Sequence, residues 1–284
     1  MAKLKERKPG DIIFSVFQYV MLIGGSIIAL LPVCVCILTA FKTDAEYQST
    51  TPLTLPESFG YLENFTQVFS KANMLRGFRN TGIVLIVVLI LSVLFSSMLA
   101  YVLNRFQFPG NGLIRSLFMV ATLIPGIASQ VTVYQIMTAL GLVNSFHGYI
   151  ILMLGTDVIT IYIFLQFFEN LPVTLDESAI IDGCSYFGAF FRILFPLLQP
   201  AIVTSAILKG VSTYNEYYMA GLYLQDKTRL NVVSTSLYVF TGPMGSQYNY
   251  ICAGVLITII PALIIFLACQ DQIYSGMAAG AVKG

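Results

Sequence analysis

Residues 81–103 read TGIVLIVVLILSVLFSSMLAYVL, with no charged side chain from end to end. About 20 consecutive, mostly apolar residues cross a hydrocarbon core, so this stretch is long enough to span one. Five further stretches meet the same length, roughly 17–41, 116–140, 148–168, 200–223 and 249–269. Those at 116–140 and 249–269 are also free of charge, whereas 148–168 carries Asp157 and 200–223 carries Lys209 and Glu216. No water satisfies the backbone inside a bilayer, so spans of this length are helices rather than isolated strands. The reading is an all-α membrane protein with six transmembrane helices in a single domain over residues 1–284. Composition agrees: 57% of the residues are hydrophobic and 10% charged, and the mean hydropathy is +0.80. A soluble domain could not bury that much apolar surface.

Pro32, Pro125 and Pro261 fall inside the first, third and sixth stretches, where the missing N–H and the ring predict bends. Lys and Arg flanking the spans are retained on the cytoplasmic side. With the N-terminus inside, that side holds Lys3, Lys5, Arg7, Lys8, Arg105, Arg115, Arg192 and Lys283, against Lys42, Lys71, Arg76, Arg79, Lys227 and Arg229 outside. The bias places both termini and the 170–198 loop in the cytoplasm. The first apolar run is too long for a signal peptide and lacks a small-residue cleavage site, so it is expected to remain as a helix. Segments 42–78 and 225–248 then lie outside, long enough to meet a partner.

Catalytic chemistry finds no foothold. His147 is the only histidine, with no Cys or carboxylate cluster to make a metal site. The cysteines at 34, 36, 252 and 269 sit in predicted spans and Cys184 in the loop, where they act as small apolar fillers rather than a disulfide framework. No phosphate-binding loop, Ser-His-Asp set or nucleic-acid motif occurs, so any energy source belongs to another chain.

The 170–198 loop is the densest signal between the spans. Leu175 to Asp182 are good helix formers, with Asp176 and Glu177 in the first turn, where carboxylates favour the positive helix end. Gly183 ends the helix. Ser185 can cap a second helix running through Tyr186, Phe187, Phe190 and Phe191. The product is a helix-turn-helix knob, aromatic on one side, that either enters a partner's groove or lies as an amphipathic segment on the membrane surface.

Its spacing, Glu177-Ser178-Ala179, three residues, Gly183, nine residues, Ile193-Leu194-Phe195-Pro196, resembles the EAA loop of permease subunits of bacterial ABC importers, E-A-A-x3-G-x9-I-x-L-P. Ser178 and Phe195 depart from that pattern by modest changes. Leu171-Pro172-x-x-Leu175, Phe41-Lys42-Thr43 after Pro32, Arg105-Phe106 with Phe108-Pro109-Gly110, Leu140-Gly141-Leu142 with Asn144, and the ending Gly276 to Gly284 resemble the carbohydrate-uptake branch, in the subunit type that pairs with a second, different permease in maltose-like importers. The likeness covers nearly the whole chain.

The resemblance implies that Glu177, Ser178, Ala179, Asp182, Gly183 and Phe187 take a push from a cytoplasmic ATPase, and that Pro196 marks the return into the membrane. It also implies a second permease, two ATPase subunits carrying ATP and Mg, an extracytoplasmic sugar-binding protein and a carbohydrate substrate, in the bacterial cytoplasmic membrane. This chain would hold no cofactor or metal, bind no nucleic acid and be no enzyme. Tyr214-Asn215-Glu216-Tyr217-Tyr218 resembles the branch's Trp-Asn-Glu/Asp-Phe segment, with Tyr for both aromatics.

Intramembrane charges are expensive and usually face a cavity or a partner, which makes Glu216 and Asp157 candidates for the substrate pathway. Rings and planar polar groups at 214–218 suit a sugar; the same residues could instead pack between helices or against the second permease. Lys209, seven residues before Glu216, is too far along the helix to pair with it and is free for a neighbour. Many of the tyrosines are interface anchors in a chain without Trp. Two other readings compete: an ABC permease for a non-sugar solute, and an ion-coupled carrier using Asp157 or Glu216.

Overall fold

The computed structural model describes the backbone of residues 9–281 apart from Thr156 and Met244, and the side chains of residues 14–270 apart from those two. Lys3, Lys5, Arg7, Lys8 and Lys283, which enter the charge count, and the last residues of the Gly276–Gly284 ending lie outside the described residues. Among the described residues every regular element is helical. In chain order these are α1 (Pro9–Ala40), α2 (Asp44–Ser49), α3 (Glu63–Lys71), α4 (Met74–Arg105), α5 (Asn111–Ala121), α6 (Gly126–Ala139), α7 (Phe146–Leu154) and α8 (Val158–Asn170). There follow α9 (Thr174–Ile181), α10 (Tyr186–Ala189), a π turn (Phe190–Leu194), α11 (Phe195–Leu197), α12 (Gln199–Asn215), α13 (Tyr218–Tyr223), α14 (Val233–Ser236), a 3-10 turn (Leu237–Phe240) and α15 (Tyr248–Ala281).

Three helices are long and apolar enough to cross a membrane unbroken, over Phe14–Ala40, Met74–Arg105 and Tyr248–Gln270. They correspond to the expected first, second and sixth spans. Pro32 and Pro261 lie inside uninterrupted helices, so neither breaks its span; a single missing N–H is tolerated within a long membrane helix.

The other spans are broken. α5 and α6 meet at 103°. Thr122, Leu123 and Ile124 each donate to the carbonyl three residues back, so the end of α5 tightens. A helical conformation is disfavoured for Ile124 because Pro125 follows it, and Pro125 itself stands at φ −61°, ψ 120°. α7 and α8 meet at 47°. The expected 200–223 span is also divided: α12 stops at Asn215 and α13 starts at Tyr218. The reason is Glu216, whose Oε1 accepts the Met219 N–H at 2.9 Å and so opens a new helix.

The chain divides into two units. One comprises the described residues up to Ala72 together with Leu237–Ile260. Its polar knot forms where α1 ends. The Asn64 amide, fully buried, donates to the Ala40 and Lys42 carbonyls at 2.9 and 2.8 Å, which satisfies backbone groups that a helix end leaves orphaned. Asn249 Nδ2 donates to Asp44 Oδ1 at 2.6 Å and to Asn64 Oδ1 at 3.3 Å. Buried Lys42 donates to Thr50 Oγ1 and the Thr51 carbonyl at 3.0 and 2.7 Å. Thr43 and Glu46 form a reciprocal capping box at the start of α2.

The second unit comprises residues 73–236 and the described part of 261–284, with α4 as its central strut. The buried face of α4 runs through Val88, Ser92, Ser96, Ser97 and Ala100, small residues that let membrane helices approach closely. α8 packs along it. Tyr101 and Leu103 join Ile161, Phe164, Leu165 and Phe168 of α8 and Phe190, Leu194, Leu198 and Ala201 in one core. The opposite end of α4 gives Val84 and Val88 to a second core with Met137, Tyr149, Ala220, Tyr223, Leu224 and Val232.

Replacing Asn64 by Ala strands two carbonyls without donors and is expected to cost about 2 kcal/mol, read as earlier thermal unfolding of the purified protein. Glu46 gives a pH signature. The N–H groups of Glu57 and Thr43 hold its carboxyl below the usual glutamate range. Its contribution is therefore complete above that range and is lost as pH falls through the lower folded value. Wild type should lose stability on acidification more steeply than Glu46→Gln; equal acid slopes would refute this.

Candidate functional site

The 174–197 segment is built as the spacing requires. α9 starts at Thr174, one residue before the expected Leu175, with Asp176 and Glu177 in its first turn. Gly183 stands at φ +84°. Its N–H donates to the Ile180 carbonyl at 3.0 Å, and Cys184 N–H reaches the Ala179 carbonyl at 2.9 Å. That pair of bonds is a Schellman close, and the left-handed residue it needs is glycine. Two residues on, Ser185 Oγ accepts the Gly188 N–H at 3.2 Å and caps α10.

The second helix departs from the expected single aromatic face. A π turn follows α10, in which Phe195 N–H reaches the Phe190 carbonyl. Phe190 is buried, its ring 5.3 Å from Tyr101. Phe187 is 65% exposed and stacks on Phe191 at 6.0 Å. Tyr186 meets Phe106 edge-on at 5.1 Å. Glu177, Ser178, Asp182, Gly183, Phe187 and Pro196 are thus on the surface, whereas Ala179 is buried and can only support the others. An open groove of about 530 Å³ runs beside α9, lined in part by Tyr101, Phe106, Val173, Ile180 and Tyr186.

Sequence reasoning missed what holds the segment in place. Arg105, the last residue of α4, points its guanidinium into the junction, with only 8% of the side chain exposed. Nε donates to Asp176 Oδ2 at 3.0 Å, Nη2 to the Leu171 carbonyl at 2.9 Å, and Nη1 to Asn104 Oδ1 at 2.8 Å and to the Phe168 carbonyl at 3.3 Å. The guanidinium also lies 5.8 Å from the centre of the Phe168 ring. The available signal was an Arg closing an uncharged span and a second carboxylate beside Glu177.

The other candidates fall into two groups. Asp157 caps α8 through the Thr160 N–H at 3.3 Å, and its Oδ2 accepts the Thr160 hydroxyl at 2.8 Å and the Ser92 hydroxyl at 3.1 Å. Lys209 Nζ sits 3.4 Å from the same oxygen. Lys209 therefore pairs with a neighbouring helix, and α4, α8 and α12 are tied at one carboxylate. The 214–218 group occupies the break between α12 and α13. Glu216 is spent on capping, and its carbonyl accepts the Ser234 hydroxyl at 2.8 Å. Tyr214 is half-buried, while Asn215, Tyr217 and Tyr218 are exposed together.

A family described as "Binding-protein-dependent transport system inner membrane component" matches residues 72–274. The arabinooligosaccharides transport system permease protein AraQ of Halalkalibacterium halodurans is 30% identical over 274 residues, covering 95% of this chain and 98% of that protein. The melibiose/raffinose/stachyose import permease protein MelC of Bacillus subtilis is 29% identical over 258 residues, covering 89% and 91%. Among solved structures, a chain of a bacterial ABC transporter involved in the import of the acidic polysaccharide alginate superposes with a TM-score of 0.82 at 18% identity, over 94% of this chain and 99% of that one. At this identity the likeness is one of fold.

The Asp157 tie carries a prediction. Lys209→Met leaves a largely buried carboxylate without its counter-charge and should destabilise the protein by about 3 kcal/mol, whereas Lys209→Met with Asp157→Asn should recover much of the loss. Thermal unfolding of Lys209→Met, Asp157→Asn and the double variant checks it against wild type; additive losses would refute the pairing.

Proposed function

The chain belongs to the binding-protein-dependent transport system inner membrane component family, and from that premise we propose that it is the membrane-spanning permease subunit of an ATP-driven importer for a sugar or oligosaccharide. The names of its relatives, which handle arabinooligosaccharides and raffinose-type sugars, favour that substrate class. One observation carries the mechanism: α9 and α10 form a closed knob whose exposed residues include Glu177, Ser178, Ile181, Asp182 and Phe187. A solvent-facing Phe beside carboxylates suits a partner's cleft better than open water.

In this proposal the knob, both chain ends and the 170–198 loop face the cytoplasm. Two ATPase subunits, with ATP and Mg, close on the knob. A second permease completes the pathway, and an extracytoplasmic binding protein delivers the sugar to alternating-access spans in the bacterial cytoplasmic membrane. The chain performs no chemistry of its own. Asn215, Tyr217 and Tyr218 are the better candidates for sugar contact, because their side chains are exposed at a helix break. Asp157 and Glu216 have less to offer, since their carboxylates are already engaged by Lys209 and by the α13 backbone. The same engagement weighs against an ion-coupled carrier that would titrate either group.

Co-purification of the tagged chain with neighbouring transporter proteins, for wild type and Gly183→Pro, tests the proposal. Wild type should bring down an ATPase and a second permease, and the variant should lose the ATPase, because proline cannot adopt φ +84° or donate the closing hydrogen bond. Absence of an ATPase from the wild-type complex overturns the proposal.

A further inference from the structure

We propose that Arg105 is a positioning residue that fastens the knob to the spans, so that α4, the end of α8 and α9 move as one piece; this rests on the coupling role proposed above. A guanidinium offers five donors in a fixed plane. Here four contacts use them, and each reaches a different place. The Phe168 and Leu171 carbonyls belong to the last turn of α8 and its cap; the Phe168 oxygen already accepts the Leu171 N–H at 3.1 Å, and the guanidinium adds a second donor there. Asp176 belongs to the first turn of α9. Asn104 precedes Arg105 on α4 and completes the set.

The fastening is a largely buried pair at the wall of the groove beside α9 rather than a surface ion pair. The two paired side chains are 8% and 10% exposed. Tyr101, one turn back on α4, packs its ring 5.7 Å from Phe168 and 5.6 Å from Phe106, and Phe106 continues to Tyr186 of α10 at 5.1 Å. Both helices of the knob are therefore anchored to the end of α4, α9 through a charge and α10 through rings. Only the three residues Leu171, Pro172 and Val173 separate α8 from α9, and one of their carbonyls is held by the same guanidinium. A displacement of α9 has little slack to be absorbed in before it reaches α4 and α8.

The test uses the assembled importer in proteoliposomes, with wild type, Arg105→Lys, Arg105→Gln and Asp176→Asn. Transport per ATP hydrolysed is the readout, since a residue that merely stabilises the fold changes yield and leaves that ratio alone. Lysine keeps the charge but, as a single ammonium, cannot span three elements. Sugar moved per ATP should fall about threefold or more in Arg105→Lys and Arg105→Gln complexes that retain their ATPase, an effect in the range by which residues between coupled sites alter their coupling.

A second measurement leaves the fastening intact. Spin labels at Gln107→Cys and Thr174→Cys, both exposed positions, report the distance from the end of α4 to α9 with and without trapped nucleotide. The distance should stay constant through the cycle. A change of more than about 2 Å, the size of an ordinary helix shift between states, or an unchanged transport ratio in the assembled Arg105 variants, overturns the proposal. A wild-type complex without an ATPase would instead overturn the importer reading itself.

Discussion

Inside a hydrocarbon layer a peptide group has no solvent to bond to, and that constraint bears on how the described helices begin and end. Where an apolar segment stops, something in the sequence takes over the exposed backbone groups. Asp157 accepts the Thr160 N–H at the start of α8, Glu216 accepts the Met219 N–H within the first turn of α13, and Arg105 donates to the carbonyls at the end of α8. The charged residues of the apolar stretches are thus largely the means by which helices begin and end there. A carboxylate that caps a helix and meets an ammonium, as Asp157 does, offsets its own burial twice over.

The same requirement explains how much of the fold was legible. Length and apolarity are local, so the continuous helices around residues 17–41, 81–103 and 249–269 could be read directly. The close at Gly183 and the cap at Ser185 are equally local, because each depends on residues within a turn of itself. The break after Asn215 was not legible, since a Glu in an apolar run reads equally as a buried charge or a cap until the backbone is known. Pro125 differs from Pro32 and Pro261 through its neighbours. It is followed by Gly126 and preceded by a turn already tightening, so the break is available there at low cost. Lys209 and Arg105 were harder still, because each finds its carboxylate in a distant segment, Arg105 across 71 positions.

Candidate residues divided along the same line. Glu177, Ser178, Asp182, Gly183 and Phe187 reach the surface because a short capped helix pair leaves most of its side chains outside. Ala179 and Asp176 turn the other way, and their burial is what fixes the outward face. For a segment that must transmit force, as proposed here, the inward residues are as necessary as the outward ones. A helix held only by its ends would rotate under load, whereas one pinned by a buried ion pair keeps its aim.

The π turn at Phe190–Leu194 settles how the knob rejoins the spans. One residue more per turn rotates everything that follows by about 100° relative to an α-helix. Across this stretch Phe187 and Phe191 stay outside, while Phe190, Leu194, Leu198 and Ala201 lie in the core beside α4 and α8. Pro196 fits the same place, since it lacks the N–H that a regular turn would call on just after the π turn. The spacing between Gly183 and Pro196 therefore measures more than chain length: it counts out the residues of a cap, one α turn and one π turn, before the chain bends by 75° into α12.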